Sequence, residues 1–373
     1  MCVDENDVRS ALNAIDEVES VQISPYSNIY TLTFRSGVAP DDKLVAAVFK
    51  GCQYNGRRME VVEDPKAPRP LPPAPPENPT AAGRVALGHR LFNDRRLSRD
   101  QTIACSTCHQ PTRAFTNGQA APVGVAGRKM SRNVPTLLNV GYRKKIFWDG
   151  RAKSLEEVMD RALKHPAVIG MTPDEFVERV RSIPEYGEAF EKQFGGPATV
   201  ESVSRAVAAY QRSLISDAVP FDRFARGDRN ALSESARRGY LVFRDKANCV
   251  TCHSGPDFTD EALRRIGIGW DGKAYKDPGL GKTTGKPGQA GLFRVPTLRE
   301  VKWTAPYMHD GSLKTLEEVV DYYNRGGNEG PPIDLKKPLD LTDTEQKDLV
   351  HFLESLSSER PPQRVARARA SGS

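Results

Sequence analysis

Two short cysteine–histidine motifs are the clearest candidates for chemistry in this sequence. The first is CSTCH at 105–109 and the second is CVTCH at 249–253. In a Cys-x-x-Cys-His motif the two thiols can form thioethers with one porphyrin, and the adjoining imidazole can bind its iron from the same turn. The alternative is a zinc or redox Cys-x-x-Cys with an incidental histidine, and two complete copies argue against it. We therefore expect two covalently bound haem c groups, one held by Cys105, Cys108 and His109 and the other by Cys249, Cys252 and His253.

The surroundings of the two motifs repeat as well. FWDGRAKSLEEV at 147–158 returns as MHDGSLKTLEEV at 308–319, and VPTL occurs at both 134–137 and 295–298. Each pair is separated by the same 161 positions. One packing motif can recur by chance, but several matches at one offset indicate an internal duplication. The sequence therefore predicts two copies of one haem-binding module.

A proline-rich segment divides the chain into a small head and a larger body. KAPRPLPPAPPENP at 66–79 predicts a stiff, extended linker between a head at 1–65 and a body that begins near residue 80. The pattern of the head predicts helix, strand, helix and strand, with NIYTLTF as the clearest strand. We interpret the head as a small α/β domain of the ferredoxin-like type.

The body has the pattern of a mainly α-helical protein. Thr172 and Glu175 flank Pro173 as a capping box, and Thr342 with Glu345 forms another. Long glycine- and proline-rich loops lie between the helices, notably 267–291, and loops of this kind often wrap a cofactor. We expect an N-terminal haem domain at 80–220, a C-terminal haem domain at 221–357 and a disordered basic tail at 358–373.

Composition and charge limit the class of protein. The chain of 373 residues has a net charge of +6, and no apolar run approaches the roughly 18 residues that a membrane-spanning helix needs. We therefore expect a protein that is not transmembrane. The arginines of the tail RPPQRVARARASGS fit a solubilising tail or a contact with an acidic partner. Nothing else in the sequence supports nucleic-acid binding.

The cysteine motifs also predict where the protein works. Cytochrome c maturation takes place outside the cytoplasm, so we expect a periplasmic or otherwise exported protein. The first twenty residues lack the apolar stretch of a secretory signal, and we interpret this as a leader that has been removed. Cys2 is either a residue for lipid anchoring or the disulfide partner of Cys52, and the sequence leaves both open.

An ordered set of motifs in the body resembles one family of enzymes. LGHRLFNDRRLSRDQTIACSTCH, SRNVPTLLNVGYRKKIFWDGRAKSLEE, FDRFARGD, CVTCH and FRVPTLREVKWTAPYMHDG follow one another, and together they resemble the bacterial di-haem cytochrome c peroxidases and the MauG-type enzymes. The resemblance covers about residues 80–357. It implies that hydrogen peroxide reacts at the N-terminal haem and that the C-terminal haem passes electrons. A tryptophan lies between the haems in this family, and Trp148 matches it. The head faintly resembles heavy-metal-associated domains, with only Cys2 near their metal-binding loop.

The resemblance offers several ligands for the far side of the C-terminal haem. Peroxidases of the family use a methionine shortly after the LEE motif, where this chain has YYNRGG at 322–327. MauG-type enzymes use a tyrosine, and the PYMH stretch offers Tyr307, with Met308 and His309 as neighbouring rivals. A tyrosinate oxygen would lower the reduction potential relative to methionine.

The N-terminal haem departs from the family pattern at its reactive face. The family uses a glutamine and a glutamate to move the proton of the peroxide, and Val158 and Val168 stand at those positions when the stretches are aligned without gaps. Neither aliphatic side chain transfers a proton. His165 lies between them and is a replacement base, an iron ligand that closes the site, or a surface residue. Asn133 matches an asparagine that helps to hold a calcium ion in relatives.

Two functions remain in competition at this point. The first is a peroxide-dependent oxidoreductase whose electrons come from a small c-type cytochrome, a copper protein or a protein substrate that is itself oxidised. The second is a non-catalytic di-haem electron carrier or redox sensor with both irons capped. Loss of the methionine favours oxidation of a protein substrate, whereas Val158 and Val168 argue against catalysis of either kind.

Overall fold

The computed structural model describes the strands at 18–23 and 30–34 and residues 71–225, 228–328, 334 and 338–362. The chain forms two compact units, one containing 1–67 and 218–233 and the other containing 68–217 and 234–373. Both Cys-x-x-Cys-His motifs therefore lie in the second, larger unit. The domain boundaries expected from the sequence stay predictions.

The described residues are mainly helical, as the sequence predicts. The strands are β1 (Val18–Ile23), β2 (Tyr30–Phe34), β3 (Leu263–Arg264) and β4 (Phe293–Arg294). The helices are α1 (Ala82–Asn93), α2 (Cys105–Cys108), α3 (Val158–Leu163), α4 (Pro173–Arg181), α5 (Pro184–Phe194), α6 (Val200–Arg212), α7 (Pro220–Ala225), α8 (Glu234–Leu241), α9 (Leu280–Thr284), α10 (Leu316–Asn324) and α11 (Asp343–Ser355).

The first unit contains an antiparallel pair of strands. β1 pairs with β2, and Val21 lies opposite Leu32. β2 lies within the predicted strand NIYTLTF, while the other elements predicted for the head lie outside the described residues. Cys2 and Cys52 lie outside them as well. The ferredoxin-like type of the head therefore stays a prediction.

Side-chain caps define where two helices of the second unit begin. At α4 the hydroxyl of Thr172 accepts the Glu175 backbone N–H at 3.3 Å, and a Glu175 carboxylate oxygen accepts the Thr172 N–H at 2.8 Å. Thr342 and Glu345 make the same exchange at the start of α11, at 3.3 and 2.8 Å. Each exchange satisfies two backbone donors that a helix start otherwise leaves unpaired. Both predicted capping boxes are confirmed.

The same helix crossing occurs twice in the second unit. α1 packs against α6 in the first half, and α8 packs against α11 in the second. A Cβ atom at Gly88 of α1 would overlap the carbonyl oxygen of Ala206, and one at Gly239 of α8 would overlap that of Asp348. Glycine is needed at both crossings because the backbones approach too closely for a side chain. The predicted duplication is therefore visible in the packing of the helices.

Aromatic side chains fill the core around each crossing. Phe92 is fully buried and packs on Tyr210 of α6 with ring centroids 5.0 Å apart. In the second half Phe243 packs on Phe352 of α11 at 4.9 Å. Burial of large rings in this way supplies much of the hydrophobic stabilisation of a helical domain. The elements that carry the two cysteine motifs are thus held by equivalent cores.

The end of the proline-rich segment packs on the body, whereas its composition predicts a stiff, extended linker. Residues 71–79 form no helix or strand, but Asn78 is fully buried and its amide donates to Glu156 at 2.8 Å. A buried amide needs hydrogen-bond partners. The hydrogen bond to Glu156 therefore holds this part of the segment against the body. Across the part of the chain that the structure describes, no helix has the length and apolar character needed to cross a membrane.

Candidate haem-binding sites

The first site is a tight turn that aims one imidazole nitrogen away from the backbone. α2 begins at Cys105, and the backbone N–H of His109 donates to the Cys105 carbonyl at 2.8 Å. Nδ1 of His109 lies 3.0 Å from the carbonyl oxygen of Phe115. Because a carbonyl can only accept, the ring carries its proton on Nδ1 and its Nε2 lone pair is free to bind a metal.

The second site repeats this arrangement. The backbone N–H of His253 donates to the Cys249 carbonyl at 2.8 Å, and its Nδ1 donates to the carbonyl of Phe258 at 2.9 Å. A backbone carbonyl that fixes the tautomer and orientation of a histidine is the usual outer partner of a metal-binding imidazole. The structure therefore places both predicted proximal histidines in a conformation suited to iron.

The repeated VPTL phrase explains why the two turns are alike. The hydroxyl of Thr136 donates to the carbonyl of Ala114 at 2.6 Å, and the hydroxyl of Thr297 donates to that of Asp257 at 2.6 Å. Each accepting carbonyl belongs to the residue just before the phenylalanine that orients the histidine. The threonine of VPTL therefore fixes the loop on which the imidazole depends.

The residues at both sites fit a large buried group. The four thiols are not paired in disulfides, and burial raises the pKa of Cys105 and of Cys249 to about 12. Burial likewise lowers the pKa of His109 and His253. All of these side chains nevertheless remain partly exposed. Two unpaired thiols and an imidazole with an available Nε2, all still accessible, suit a haem with paired thioethers and one imidazole ligand.

A buried positive charge lies near the junction of the two halves. Arg294 is 2% exposed, and its guanidinium donates only to the carbonyls of Val295 at 2.9 Å and Phe147 at 3.4 Å. Burial and the neighbouring Arg143 lower the pKa of Arg294 to about 9. Within the described ranges Arg294 has no ion pair. A buried cation without a carboxylate partner fits an anionic group such as a haem propionate.

Trp148 connects the two halves of the second unit. Its indole N–H donates to the carbonyl of Asn133 at 2.8 Å, and its own carbonyl accepts the backbone N–H of Arg294 at 2.7 Å. Arg294 lies in β4 of the second half, so the tryptophan is hydrogen-bonded on both sides of the junction. Its location between two haems stays a prediction.

The residues at the family's acid–base positions, and their neighbour Ala162, are apolar. Val158, Ala162 and Val168 are partly buried and pack against the same hydrophobic cluster as Cys105. His165 is exposed, and its Nδ1 accepts the Ala167 backbone N–H at 3.3 Å. The neutral ring in this orientation carries its proton on Nε2, which makes that nitrogen a donor. Desolvation, together with the nearby cations of Arg151 and Lys282, lowers the pKa of His165.

The hydroxyl of Tyr307 has a backbone partner. It donates to the carbonyl of Val301 at 3.1 Å, and burial raises the pKa of Tyr307. The repeat offset pairs Tyr307 with Ile146, a buried core residue, and both make the same bridge, to Leu313 and Ala152 respectively. Tyr307 is thus the partly buried equivalent of a core residue in the first copy.

Sequence reasoning overlooked a second tyrosine at this site. Burial raises the pKa of Tyr323, and the thiols of Cys249 and Cys252 add to the shift because they lie close by. Tyr323 keeps partial exposure and has no hydrogen bond from its hydroxyl to any described residue. The signal was present in the sequence, since the 161-residue offset pairs Tyr323 with Ala162 at the first site. An aromatic hydroxyl in one copy therefore replaces a methyl group in the other.

The remaining predicted ligands lie at the junction. His309, the repeat equivalent of Trp148, is 4% exposed and stacks on Phe293 with centroids 3.8 Å apart. Met308 has a backbone φ of +71° and lies in the same turn. Asn133 donates its side-chain N–H to the carbonyl of Gln119 at 2.9 Å and its backbone N–H to the His309 carbonyl at 2.7 Å. Within the described residues, no group of three or more His, Cys, Asp and Glu side chains could hold a metal ion.

Comparison with known proteins agrees with this geometry. The family model described as di-haem cytochrome c peroxidase matches residues 82–230, and the cytochrome c model matches residues 236–357. The chain is 40% identical over 328 residues to the cytochrome-c peroxidase IdrP1 of Pseudomonas sp. (strain SCT), covering 80% of this chain and 86% of the relative. It is 39% identical over 309 residues to the methylamine utilization protein MauG of Methylorubrum extorquens, covering 81% and 83%.

A solved structure shares the fold as well. The crystal structure of a MauG-like protein associated with microbial copper homeostasis is 34% identical and superimposes with a TM-score of 0.71. The match covers 78% of this chain and 94% of that one.

Proposed function

The chain belongs to the di-haem cytochrome c peroxidase family, which includes the MauG proteins, and on that premise we propose that it reduces hydrogen peroxide at its first haem site with electrons that arrive through its second. Bound haem iron supplies the redox chemistry, in which peroxide accepts two electrons and two protons and yields two waters. The protein supplies attachment, orientation and proton delivery. The observation that carries the proposal is a difference between the two repeated sites: the second copy has Tyr323 where the first has Ala162.

The first site would suit a small reactant, because the side chains at its far-side repeat positions are aliphatic and cannot bind iron. The repeat position that holds Tyr323 in the second copy holds Ala162 in the first. Val158 and Val168 complete an apolar lining, which excludes water without occupying the iron. A site of this kind leaves one coordination position available to peroxide.

His165 is the proton donor that this open face offers. Its exposed ring can take a proton from solvent, and the protonated form, whose pKa is lowered, gives a proton up readily. Nδ1 of the neutral ring accepts the Ala167 N–H; protonation of Nδ1 would break that bond, and the ring would then deliver the Nε2 proton to the outer oxygen of peroxide. Acting as a base or as an iron ligand through Nε2 would require the ring to exchange its tautomer.

Tyr323 is our preferred second ligand of the C-terminal haem. Its hydroxyl is deep, lies near both cysteines and has no competing hydrogen bond to a described residue, whereas that of Tyr307 is bound to Val301. A phenolate oxygen on the iron would stabilise its oxidised state. Capping the second site in this way suits an electron-transfer haem.

Trp148 is proposed as the electron bridge between the sites, since its hydrogen bonds reach both halves. We also propose an exported location, a calcium ion held in part by Asn133, and a small redox protein or an oxidisable protein substrate as the electron source. The cytochrome c type of the two attachment turns supports an exported location.

The proposed ligand is tested by comparing Tyr323→Phe with Tyr307→Phe in the mature di-haem protein. We expect one high-spin and one low-spin ferric haem in the wild type by EPR, conversion of the low-spin signal in Y323F, and an unchanged spectrum in Y307F. Conversion in Y307F alone would restore Tyr307 as the ligand.

The function itself is tested by adding hydrogen peroxide to the ferric wild-type protein and recording its absorption spectrum. A rapid spectral change followed by turnover with a small reductant supports the enzyme. Two low-spin haems that do not respond to peroxide would instead establish the electron-carrier alternative.

A further inference from the structure

A chain of aromatic rings leads away from the second haem site. Tyr323, beside the cysteines, meets Tyr322 edge to face with ring centroids 5.8 Å apart. At the other end Tyr275 packs against Trp270 at 5.0 Å. The middle link runs through the backbone, from Tyr322 to the loop that carries both Tyr275 and Trp270. The Tyr322 hydroxyl donates at 2.6 Å to the carbonyl of Ile266, the residue just before the 267–291 loop.

The rings run from the interior to the surface. Tyr322 is 2% exposed and Tyr275 is 8% exposed, whereas Trp270 is partly open to solvent. Tyr275 packs so closely on the backbone that a Cβ atom at Gly291 would clash with its ring. Packed rings and a hydrogen bond between them shorten the gaps that an electron must cross by tunnelling. The two ring pairs and the Tyr322–Ile266 hydrogen bond therefore offer a route between the second haem site and one partly exposed indole.

Trp270 is held in place by a short turn. Trp270 and Tyr275 form an antiparallel bridge, and the Lys276 backbone N–H donates to the carbonyl of Gly269 at 2.9 Å. A carboxylate oxygen of Asp271 accepts the backbone N–H groups of residues 273 and 274 at 3.0 and 2.9 Å. The indole is thus presented on a preorganised loop tip, as suits a contact point for a partner.

The loop around the indole is positively charged. Its four lysines, all exposed, are Lys273, Lys276, Lys282 and Lys286. Its two acidic residues do not balance them, because Asp271 is the turn cap and Asp277 is paired with Arg132 at 2.6 Å. A cationic rim around an aromatic contact favours a partner with an acidic surface and steers its approach.

We propose that Trp270 is an electron-entry point of this protein, at which an acidic one-electron donor protein docks on the lysines of the 267–291 loop. The inference rests on the proposed function and locates where its electrons enter. Each donor molecule is oxidised by one electron, which passes along the rings toward the second haem site. Two such electrons and two solvent protons reduce one peroxide to two waters. The rings serve as a tunnelling bridge, so each phenol keeps its proton and ends unchanged.

The experiment measures electron entry without peroxide. The full-length ferric di-haem protein is mixed anaerobically with a reduced plant-type ferredoxin, an acidic one-electron donor of low potential, and haem reduction is followed by absorption. We expect Trp270→Leu to slow this reaction strongly while reduction by dithionite, a small reductant that needs no docking site, stays at the wild-type rate. An unchanged rate with the ferredoxin in W270L would overturn the proposal.

A second pair of variants tests the charged rim. Lys273→Glu combined with Lys276→Glu should lower the bimolecular rate constant with the acidic donor by about tenfold at low ionic strength and flatten its salt dependence. Lys192→Glu, an exposed lysine on α5, is the matched control and should have no such effect. Equal effects of both sets would contradict docking at this loop.

The two levels of the proposal fail separately. If the wild type accepts electrons from the ferredoxin through Trp270 but does not turn over peroxide with any reductant, the electron-entry point stands and the peroxidase function falls. If peroxide turnover with a small reductant is normal and W270L leaves entry from the ferredoxin unchanged, the function stands and the entry point falls.

Discussion

At the scale of single residues, the two haem sites differ by a few substitutions within a repeated frame. Both copies keep the cysteines, the histidine and the carbonyl that orients it. Ala162 in one copy and Tyr323 in the other then differ at one repeat position, and we propose that this exchange leaves the first site open and caps the second. The residues that attach the haem and the residues on its far side lie on different segments of the chain. After duplication, a far-side residue can therefore change while the attachment of the haem stays the same.

His165 provides a test of proton delivery at the first site. We expect His165→Ala to lower the rate constant for reaction with hydrogen peroxide by about 10²-fold, the lower range for loss of a positioned acid or base. Stopped-flow absorption measures the rate. Since the proposed donor is not a ligand, the ferric EPR spectrum should stay the same. A new high-spin signal would identify His165 as a ligand, and an unchanged rate and spectrum would make it a bystander.

Glu300 is the repeat equivalent of Asn139, and it tests the effect of a buried ionisable group on stability. It is fully buried, Oε2 accepts the N–H and hydroxyl of Ser358 at 2.9 and 2.8 Å, and Oε1 has no hydrogen bond to a described residue. In the first copy the neutral Asn139 amide makes the corresponding bonds to Ser216, at 2.8 and 3.1 Å. Glu300 therefore places an ionisable group where the module accommodates a neutral one.

The expected consequence is a loss of stability as the pH rises. Burial raises the pKa of Glu300 from 4.5 to about 7, so the folded state binds more protons than the unfolded state between these values. The free energy of unfolding should fall across that window, by at most about 3 kcal/mol, and level off above it. Glu300→Gln should remove this component in urea titrations from pH 4 to pH 8. A pH profile identical to that of the wild type would contradict the assignment.

At the scale of elements, each half is built on one close crossing of two helices. α1 crosses α6 and α8 crosses α11, and each pair positions the segment that leads into a cysteine motif. In the sequence, Gly88 of α1 and Gly239 of α8 are seen only as parts of a repeated pattern. Their physical role follows only from the backbone that lies opposite each of them.

The crossings predict unequal effects of glycine substitutions in helices. Gly88→Ala and Gly239→Ala should each lower the free energy of unfolding by about 1–3 kcal/mol or more, since backbone must move to admit the methyl group. Gly187→Ala in α5 is the control: nothing lies within 4 Å of the added Cβ, so it should raise stability by up to about 1 kcal/mol. Thermal denaturation of the holoprotein measures all three. Equal effects would show that the crossings tolerate a side chain.

At the scale of the whole molecule, the family relationship assigns two haem c groups and a peroxidase or MauG-like redox function to this chain. The two sites act together only if electrons cross the junction where Trp148 is hydrogen-bonded to both halves. Electron transfer across this junction is therefore the step that depends on how the two halves are arranged.

Trp148→Phe tests that junction. The smaller ring loses the indole N–H to Asn133 and part of the aromatic bridge, so we expect the second haem to respond more slowly after peroxide is added. The initial reaction of the first haem should keep its rate. Rapid-scan absorption resolves the two events. If the second haem responds as fast as in the wild type, Trp148 has a packing role alone.

The sequence by itself determined the attachment chemistry, the duplication and several helix starts. Thioether formation and imidazole binding need residues that are adjacent in the chain, and a capping box is complete within four residues, so spacing alone reveals both. The tertiary structure decided the surroundings of the candidate far-side residues. It gave the Tyr307 hydroxyl a backbone partner, brought Tyr323 close to Cys249, and exposed His165. Far-side groups arrive through space from separate helices and loops, and their distance from the cofactor is fixed by packing rather than by sequence separation.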